Sequence, residues 1–285
     1  MPIEKVLKLV GKPILWGVAA IIVFKLALNM YGVWSDARSF PYSPWFSDGA
    51  CNVAVVPLSG DILFGNPYAA LAPTDETTGT ALPYTDADFV VSVLRNAEQD
   101  PNVAAVMLQV DSYGGTPVAS EVILDAMNEL TKPSVALIRE VGTSGAYMAA
   151  MGADTIIASP FSDVGSIGIT SSYLQASGQN EREGLEFVSL SSGKFKDSGN
   201  PNKPLTAEER ALFERSMATW HEHFVDLVAT SRKMDREKVV RLADGSALPG
   251  ALALEEGLVD MLGNRATAKA VLTTALGFEA VMCDY

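Results

Sequence analysis

From residue 86 onward the apolar positions change period in a regular order. DADFVVSVLRNAEQ (86–99) repeats at helical spacing, VAAVMLQV (103–110) is a nearly unbroken apolar run, and PVASEVILDAMNEL (117–130) returns to helical spacing. Apolar residues three and four apart make one face of a helix, whereas a short apolar run between turn-formers reads as a strand buried on both faces. The alternation continues with SVALIRE (134–140) as a strand, a helix opening at Ser144, DTIIAS (154–159) as a strand and LEFVSL (185–190) as one more. A long amphipathic helix then begins at Thr206, where TAEE has the form of a capping box. Upstream, NVAVVPLSGDI (52–62) reads as a β-branched strand followed by a turn, and opens the folded domain. Strands alternating with helices predict an α/β fold, a parallel sheet covered by helices, with loops at the strand ends free to build a site.

Two segments fall outside that pattern. Residues 13–34, PILWGVAAIIVFKLALNMYGVW, are apolar apart from Lys25 and Asn29, and about 20 such residues cross a bilayer as a helix. Lys5, Lys8 and Lys12 precede the run, which predicts residues 1–12 in the cytoplasm and the remainder outside the inner membrane. A central lysine costs roughly 2.5 to 3.5 kcal/mol, which a snorkelling stem and many apolar neighbours offset. The length of the run and the lack of a clear A-x-A site favour a retained transmembrane helix over a cleaved signal peptide. Residues 35–50 read as a linker, residues 51–285 as the folded domain, and 65–86 as a long loop rich in Thr, Pro and Gly.

Charge and composition narrow the function classes. The chain has 285 residues, is 48% hydrophobic and carries a formal charge of −13. With no basic stripe after the first dozen residues, nucleic acid is excluded as a partner, because phosphate binding draws on clustered Lys and Arg. No Cys/His cluster suggests a metal, and no cofactor is implied. Cys51 and Cys283 stand at the two ends of the folded part. They could pair in an oxidising compartment if those ends meet, or remain two buried thiols.

Four short stretches lie just beyond expected strands: DSYGGTP (111–117), EVGTSGAYMAA (140–150), DVGSIGI (163–169) and SGKFKD (192–197). Singly, each reads as a turn, an N-cap or a solvated lysine. Together they offer a nucleophile. Ser144 at a strand-to-helix junction would present its hydroxyl among small residues, and the amides of Gly114, Gly115 and Gly145 could donate to a developing oxyanion. The two histidines, His221 and His223, stand two apart in the expected long helix, face different sides and read as surface residues; WHEHF is not H-E-x-x-H. The base is then a lysine. A lysine amine must be shifted from about 10.4 toward 7 or 8 for this work, roughly 4 kcal/mol of desolvation and local interaction. Lys194 and Lys196 alternate faces if their stretch is extended, so one of them points inward.

In this order the motifs resemble the signal peptide peptidase A family of serine proteases, relatives of the ClpP and crotonase folds. The resemblance runs from Asn52 to about Asn264 and rests on SYGG (112–115), TSGAY (143–147), PFSDVGSIG (160–168), GKFKD (193–197) and GLVDMLG (257–263). It implies Ser144 as nucleophile, Lys196 as general base and Ser166 as the group that orients the lysine amine, a variant of the triad logic. It also implies a homo-oligomer, an octameric ring whose active sites are shared between neighbouring subunits, acting on apolar peptides such as signal peptide remnants. Tyr113 replaces the usual proline, Ala146 replaces a glycine and is expected to narrow the room beside Ser144, and LPG (248–250) stands where the family has T-G. A crotonase-type acyl-CoA enzyme would use the paired amides but has no need of a serine and a lysine. An anchored assembly protein without turnover would not need to retain Ser144, Ser166 and Lys196.

Overall fold

In the chain direction the elements are β1 (Val53–Leu63), β2 (Tyr84–Asp86), α1 (Ala87–Gln99), β3 (Ala105–Gly115), α2 (Pro117–Asn128), β4 (Ser134–Thr143), α3 (Gly145–Ala150), β5 (Thr155–Ala158), β6 (Asp163–Gly165), α4 (Ser177–Arg182), α5 (Ala207–Ser231), α6 (Arg236–Leu242), β7 (Ala247–Pro249), α7 (Gly250–Glu256), β8 (Met261–Leu262), α8 (Arg265–Leu276) and β9 (Met282–Cys283). The computed structural model describes residues 51–65 and 84–283. The expected membrane span at 13–34, the 35–50 linker and most of the 65–86 loop lie outside them. Among the described residues no helix is long and apolar enough to cross a membrane.

The strands form one sheet in the order β2-β1-β3-β4-β5-β8, parallel throughout, with β9 added in parallel to the start of β1. Central strands β3 and β4 are apolar in unbroken runs because both faces are covered: α1, α2 and α3 pack on one side and α8 on the other. Val53, Met107, Val135, Leu137 and Ile157 share one buried cluster with Ala268 and Leu272 of α8. The periodic reading of α1, α2 and α5 holds to within a residue or two, and the capping box at Thr206 forms with Glu209.

β4 changes partner along its length. Val135 to Ile138 pair with β5, the exposed Arg139 and Glu140 follow, and Val141 to Thr143 pair with β6, which in turn pairs antiparallel with β7. The end of β4 therefore leaves the main run of strands and enters a short side branch of the same sheet. This departure positions the site described below.

LEFVSL does not form a strand. Residues 185–190 have no ladder partner, and Leu185, Val188 and Leu190 are 60%, 66% and 94% exposed. The alternation is real, but a strand needs a neighbour for its amides and carbonyls, and among the described residues none is offered. The turn expected after β1 is instead a bulge at Gly60 (φ 67°), across which the strand continues to Leu63.

Cys51 and Cys283 form a disulfide, closing 232 residues of chain between the start of β1 and β9. Constraining an unfolded loop of that size contributes about 2–5 kcal/mol. Reductant is expected to lower the thermal midpoint of the wild type and to leave a Cys51→Ser/Cys283→Ser variant unmoved, as followed by differential scanning fluorimetry.

Candidate active site

Thr143 is the last residue of β4 and Gly145 the first of α3, so a single residue must turn the chain from strand to helix. That residue is Ser144, which takes φ 51° and ψ −124°. Its amide donates to the Gly165 carbonyl at 2.7 Å, continuing the β4–β6 ladder past the register pair Thr143–Gly165. On the facing strand end Ser166 has φ 49°, with its amide on the Ser246 carbonyl at 3.0 Å. Positive φ costs a non-glycine residue about 1–3 kcal/mol and persists where the surroundings over-determine it. Among the described residues only Lys233 shares this feature with the two serines, which sit side by side.

The glycine amides are not equivalent. Gly114 (φ 118°) donates to Ser112 Oγ at 3.1 Å, so its proton is committed within the chain. The Thr116 amide turns toward β1 and donates to Ile62 at 2.9 Å, while the Gly115 amide faces Gly145, 3.1 Å from where a Gly145 Cβ would stand. No side chain fits at either position, because a Cβ on Gly115 would lie 2.0 Å from the Ile62 carbonyl oxygen and one on Gly145 would lie 2.2 Å from Ser120 Oγ. Gly114 itself lies against Ser144, whose Cβ is 3.0 Å from where a Gly114 Cβ would stand, so the amides of Gly115 and Gly145 are the two near Ser144 that are not already given to Ser112.

Two cavities meet at Ser144. One, of about 130 Å³, is walled by Pro117, Met148, Ile169, Trp220 and Phe224. The other, of about 420 Å³, is polar and presents Tyr113, Ser166, Thr170, His221 and Asp244. His221 is therefore not a plain surface residue. Only the topology of α5, crossing above α3, reveals this. His223 does point elsewhere, to Glu121 at 2.7 Å. Ala146, expected to crowd the nucleophile, is fully buried and lines neither cavity. A larger cavity of about 560 Å³, beside Asp111, Arg139 and Arg265, does not include Ser144.

Lys196 is not brought to Ser144 within the chain. It stands exposed in the turn 193–199, its amide on the Gly193 carbonyl at 3.1 Å, and lines neither cavity. The stretch is a turn and not extended, so Lys194 and Lys196 do not alternate; Lys194 instead pairs with Glu208 at 2.7 Å. The neighbouring Asp197 fixes this turn to α5: Lys203 Nζ lies 3.3 Å from Asp197 and also bonds Glu209 of the capping box. Hydrogen bonds from Ser189 and Lys203 hold Asp197 below the usual carboxylate range, Lys203 does the same for Glu209, and Glu209 pulls Lys203 upward. Depressed carboxylates and a raised amine stabilise the clasp across neutral pH, with loss on the acid side as the carboxylates protonate and on the alkaline side above the ordinary lysine range.

GLVDMLG lines neither of the two cavities at Ser144. Gly257 ends α7 in the left-handed conformation (φ 83°), Asp260 holds Arg232 through both oxygens (2.6 and 3.1 Å) and takes the Ile156 amide at 2.7 Å. The Leu258 carbonyl accepts from the buried Tyr147 hydroxyl at 2.8 Å, which clamps α3 and so the backbone that carries Ser144. Burial pushes the Tyr147 hydroxyl well above its ordinary value and keeps it a donor.

The sequence model of peptidase family S49 matches residues 126–279, just over half of the chain. The chain belongs to peptidase family S49. It is 34% identical to a putative protease of Methanocaldococcus jannaschii over 64% of this chain and 60% of that one. It is 31% identical to a putative signal peptide peptidase SppA of Enterococcus faecium over 76% of this chain and 62% of that one. It thus spans about three fifths of the length of either relative. Among solved structures a ClpP1 mutant from Listeria monocytogenes superposes with a TM-score of 0.45 and 13% identity, covering 77% of this chain and 94% of the other. The S49 match takes in Ser144, Ser166, Lys196 and the Tyr147–Leu258 clamp, while β1 and the Gly115 strand end precede it.

Removing the clamp leaves the Leu258 carbonyl buried without its donor, a loss of about 1–3 kcal/mol. Tyr147→Phe is expected to lower the urea midpoint at unchanged m-value, and a midpoint equal to that of the wild type would remove the clamp from the account.

Proposed function

We propose that this chain is a membrane-anchored serine endopeptidase in which Ser144 is the nucleophile, Lys196 the general base and Ser166 the group that orients the lysine amine. The observation that carries this reading is the strained Ser144, set at the junction of two cavities with the Gly115 and Gly145 amides beside it. In the acyl-transfer step Ser144 Oγ attacks the scissile carbonyl carbon and its proton passes to the lysine nitrogen. The two amides receive the oxyanion, the C–N bond breaks, and the lysine returns the proton to the leaving amine. Water then adds to the acyl-enzyme with the same lysine as base.

The apolar crevice of Pro117, Met148, Ile169, Trp220 and Phe224 supports an apolar side chain on the substrate, and so extended apolar peptides such as signal peptide remnants as the substrate class. The apolar run at 13–34 supports anchoring by a single N-terminal helix, and the Cys51–Cys283 disulfide supports an oxidising, extracytoplasmic compartment for the catalytic domain. Lys196 is exposed and away from Ser144, and its segment carries Leu174 and Leu190 at more than nine-tenths exposure; both features support a site completed by a second copy, in a ring of the octameric type. Entering another copy's cavity would also desolvate the amine, which a neutral base requires.

The test is hydrolysis of an apolar fluorogenic peptide by the full chain in detergent. Ser144→Ala and Lys196→Ala are each expected to lose about 10⁴-fold or more in kcat/KM. A co-assembled equal mixture of the two is expected to recover about a quarter of wild-type activity, because that share of sites then joins an intact serine to an intact lysine from another copy. Full activity in Lys196→Ala would overturn the lysine role, and a dead mixture of correct assembly size would overturn the shared site.

A further inference from the structure

Among the described residues the polar cavity at Ser144 carries one carboxylate on its wall and is lined by no lysine or arginine. That carboxylate, Asp244, accepts the Ser246 amide at 2.8 Å and the Ser246 hydroxyl at 2.6 Å, both on Oδ1. Among the described residues its Oδ2 has no partner of that kind and no ion pair reaches it. The two bonds from Ser246 hold the carboxyl below its usual range, so it is anionic at neutral pH. Next to it, Ser166 Oγ spends its only proton on the Gly245 carbonyl at 2.8 Å, which leaves its lone pairs to accept. Two acceptors and a negative charge thus face the space beside Ser144, and an ammonium, with three donors and a positive charge, is the group that matches them.

We propose that Asp244 is a positioning residue that draws the Lys196 ammonium of a second copy into this cavity and holds it between Ser166 and Ser144. The inference rests on the Ser-Lys reading given above and names what that reading lacks, a reason for the lysine to settle there. The carboxylate has a second effect. When the lysine takes the Ser144 proton it becomes an ammonium, and Asp244 stabilises that charge until the proton passes to the leaving amine, much as the aspartate of a triad supports its imidazolium. Among the described residues the titratable side chains lining the cavity are Tyr113 from β3, His221 from α5 and Asp244 from the α6–β7 turn.

Asp244→Asn separates charge from architecture, because the amide oxygen still accepts both bonds from Ser246 while the negative charge is gone. The full chain is measured in a His221→Gln background, which takes the imidazole out of the cavity wall, and kcat/KM on a neutral apolar peptide is followed from pH 6 to 10. The ascending limb that Lys196→Ala abolishes is expected to move about one pH unit toward acid in Asp244→Asn, since removing an opposite charge disfavours the ammonium. An unmoved limb would overturn the inference. So would an unmoved limb with a raised KM confined to lysine-bearing peptides, which would make Asp244 a substrate contact. If Asp244→Asn matches its parent and only Asp244→Ala is impaired, the residue is a turn-former and the inference fails. A parent with no Lys196-dependent limb would overturn the Ser-Lys reading as well, which distinguishes the two failures.

Discussion

The hydrogen bond from the Ser144 amide to the Gly165 carbonyl decides the geometry on which everything else here depends. It extends the β4–β6 ladder one residue beyond Thr143, and it does so at the point where α3 must begin. A residue obliged to finish a ladder and start a helix cannot keep an ordinary backbone, and Ser144 accordingly takes positive φ. Ser166 meets the same demand between its own ladder and the Ser246 carbonyl. Two strained serines are therefore neighbours because two strand ends are neighbours. The strain is sustained by packing: α3 is entirely buried, Tyr147 is tied to Leu258, and Asp260 secures Arg232 and the edge of β5.

The family motifs divide by physical task in this light. SYGG supplies a close backbone approach that a Cβ would block, TSGAY supplies the sharp turn and its anchor, and GSIG supplies the facing strand end. GLVDMLG touches no substrate space. It is a brace, with a left-handed cap, a carbonyl for Tyr147 and a carboxylate for Arg232. GKFKD differs from the rest, because Asp197 is clasped firmly to α5 through Lys203 while Lys196 itself is left in solvent.

Long elements with a clear period were legible in the sequence. β1, β3, β4, α1, α2 and α5 all follow from the spacing of apolar residues, since burial on one face or two leaves a direct trace. The strands β6 to β9, each of two or three residues, left none, because their existence depends on what they lie beside. LEFVSL failed for the converse reason: its period suits a strand, but among the described residues no edge is offered to it. The strand-to-helix turn at Ser144 was legible through the small residues around it, whereas Ser166 stood out only through the family resemblance. His221 was not legible, because a histidine two residues from His223 on a half-exposed helix has no local signal for the cavity it overlooks. The inequality between Gly114 and Gly115 was equally hidden, since it depends on a hydrogen bond to Ser112.

The central claim is that the strained residue at the β4–α3 junction is the nucleophile. Incubation of the full chain with a fluorophosphonate, followed by tandem mass spectrometry of its peptides, tests that directly. The account predicts a single covalent adduct on Ser144, formed at a rate that falls sharply in Lys196→Ala. An adduct on another serine, or peptide hydrolysis that continues while Ser144 remains unlabelled, would contradict it.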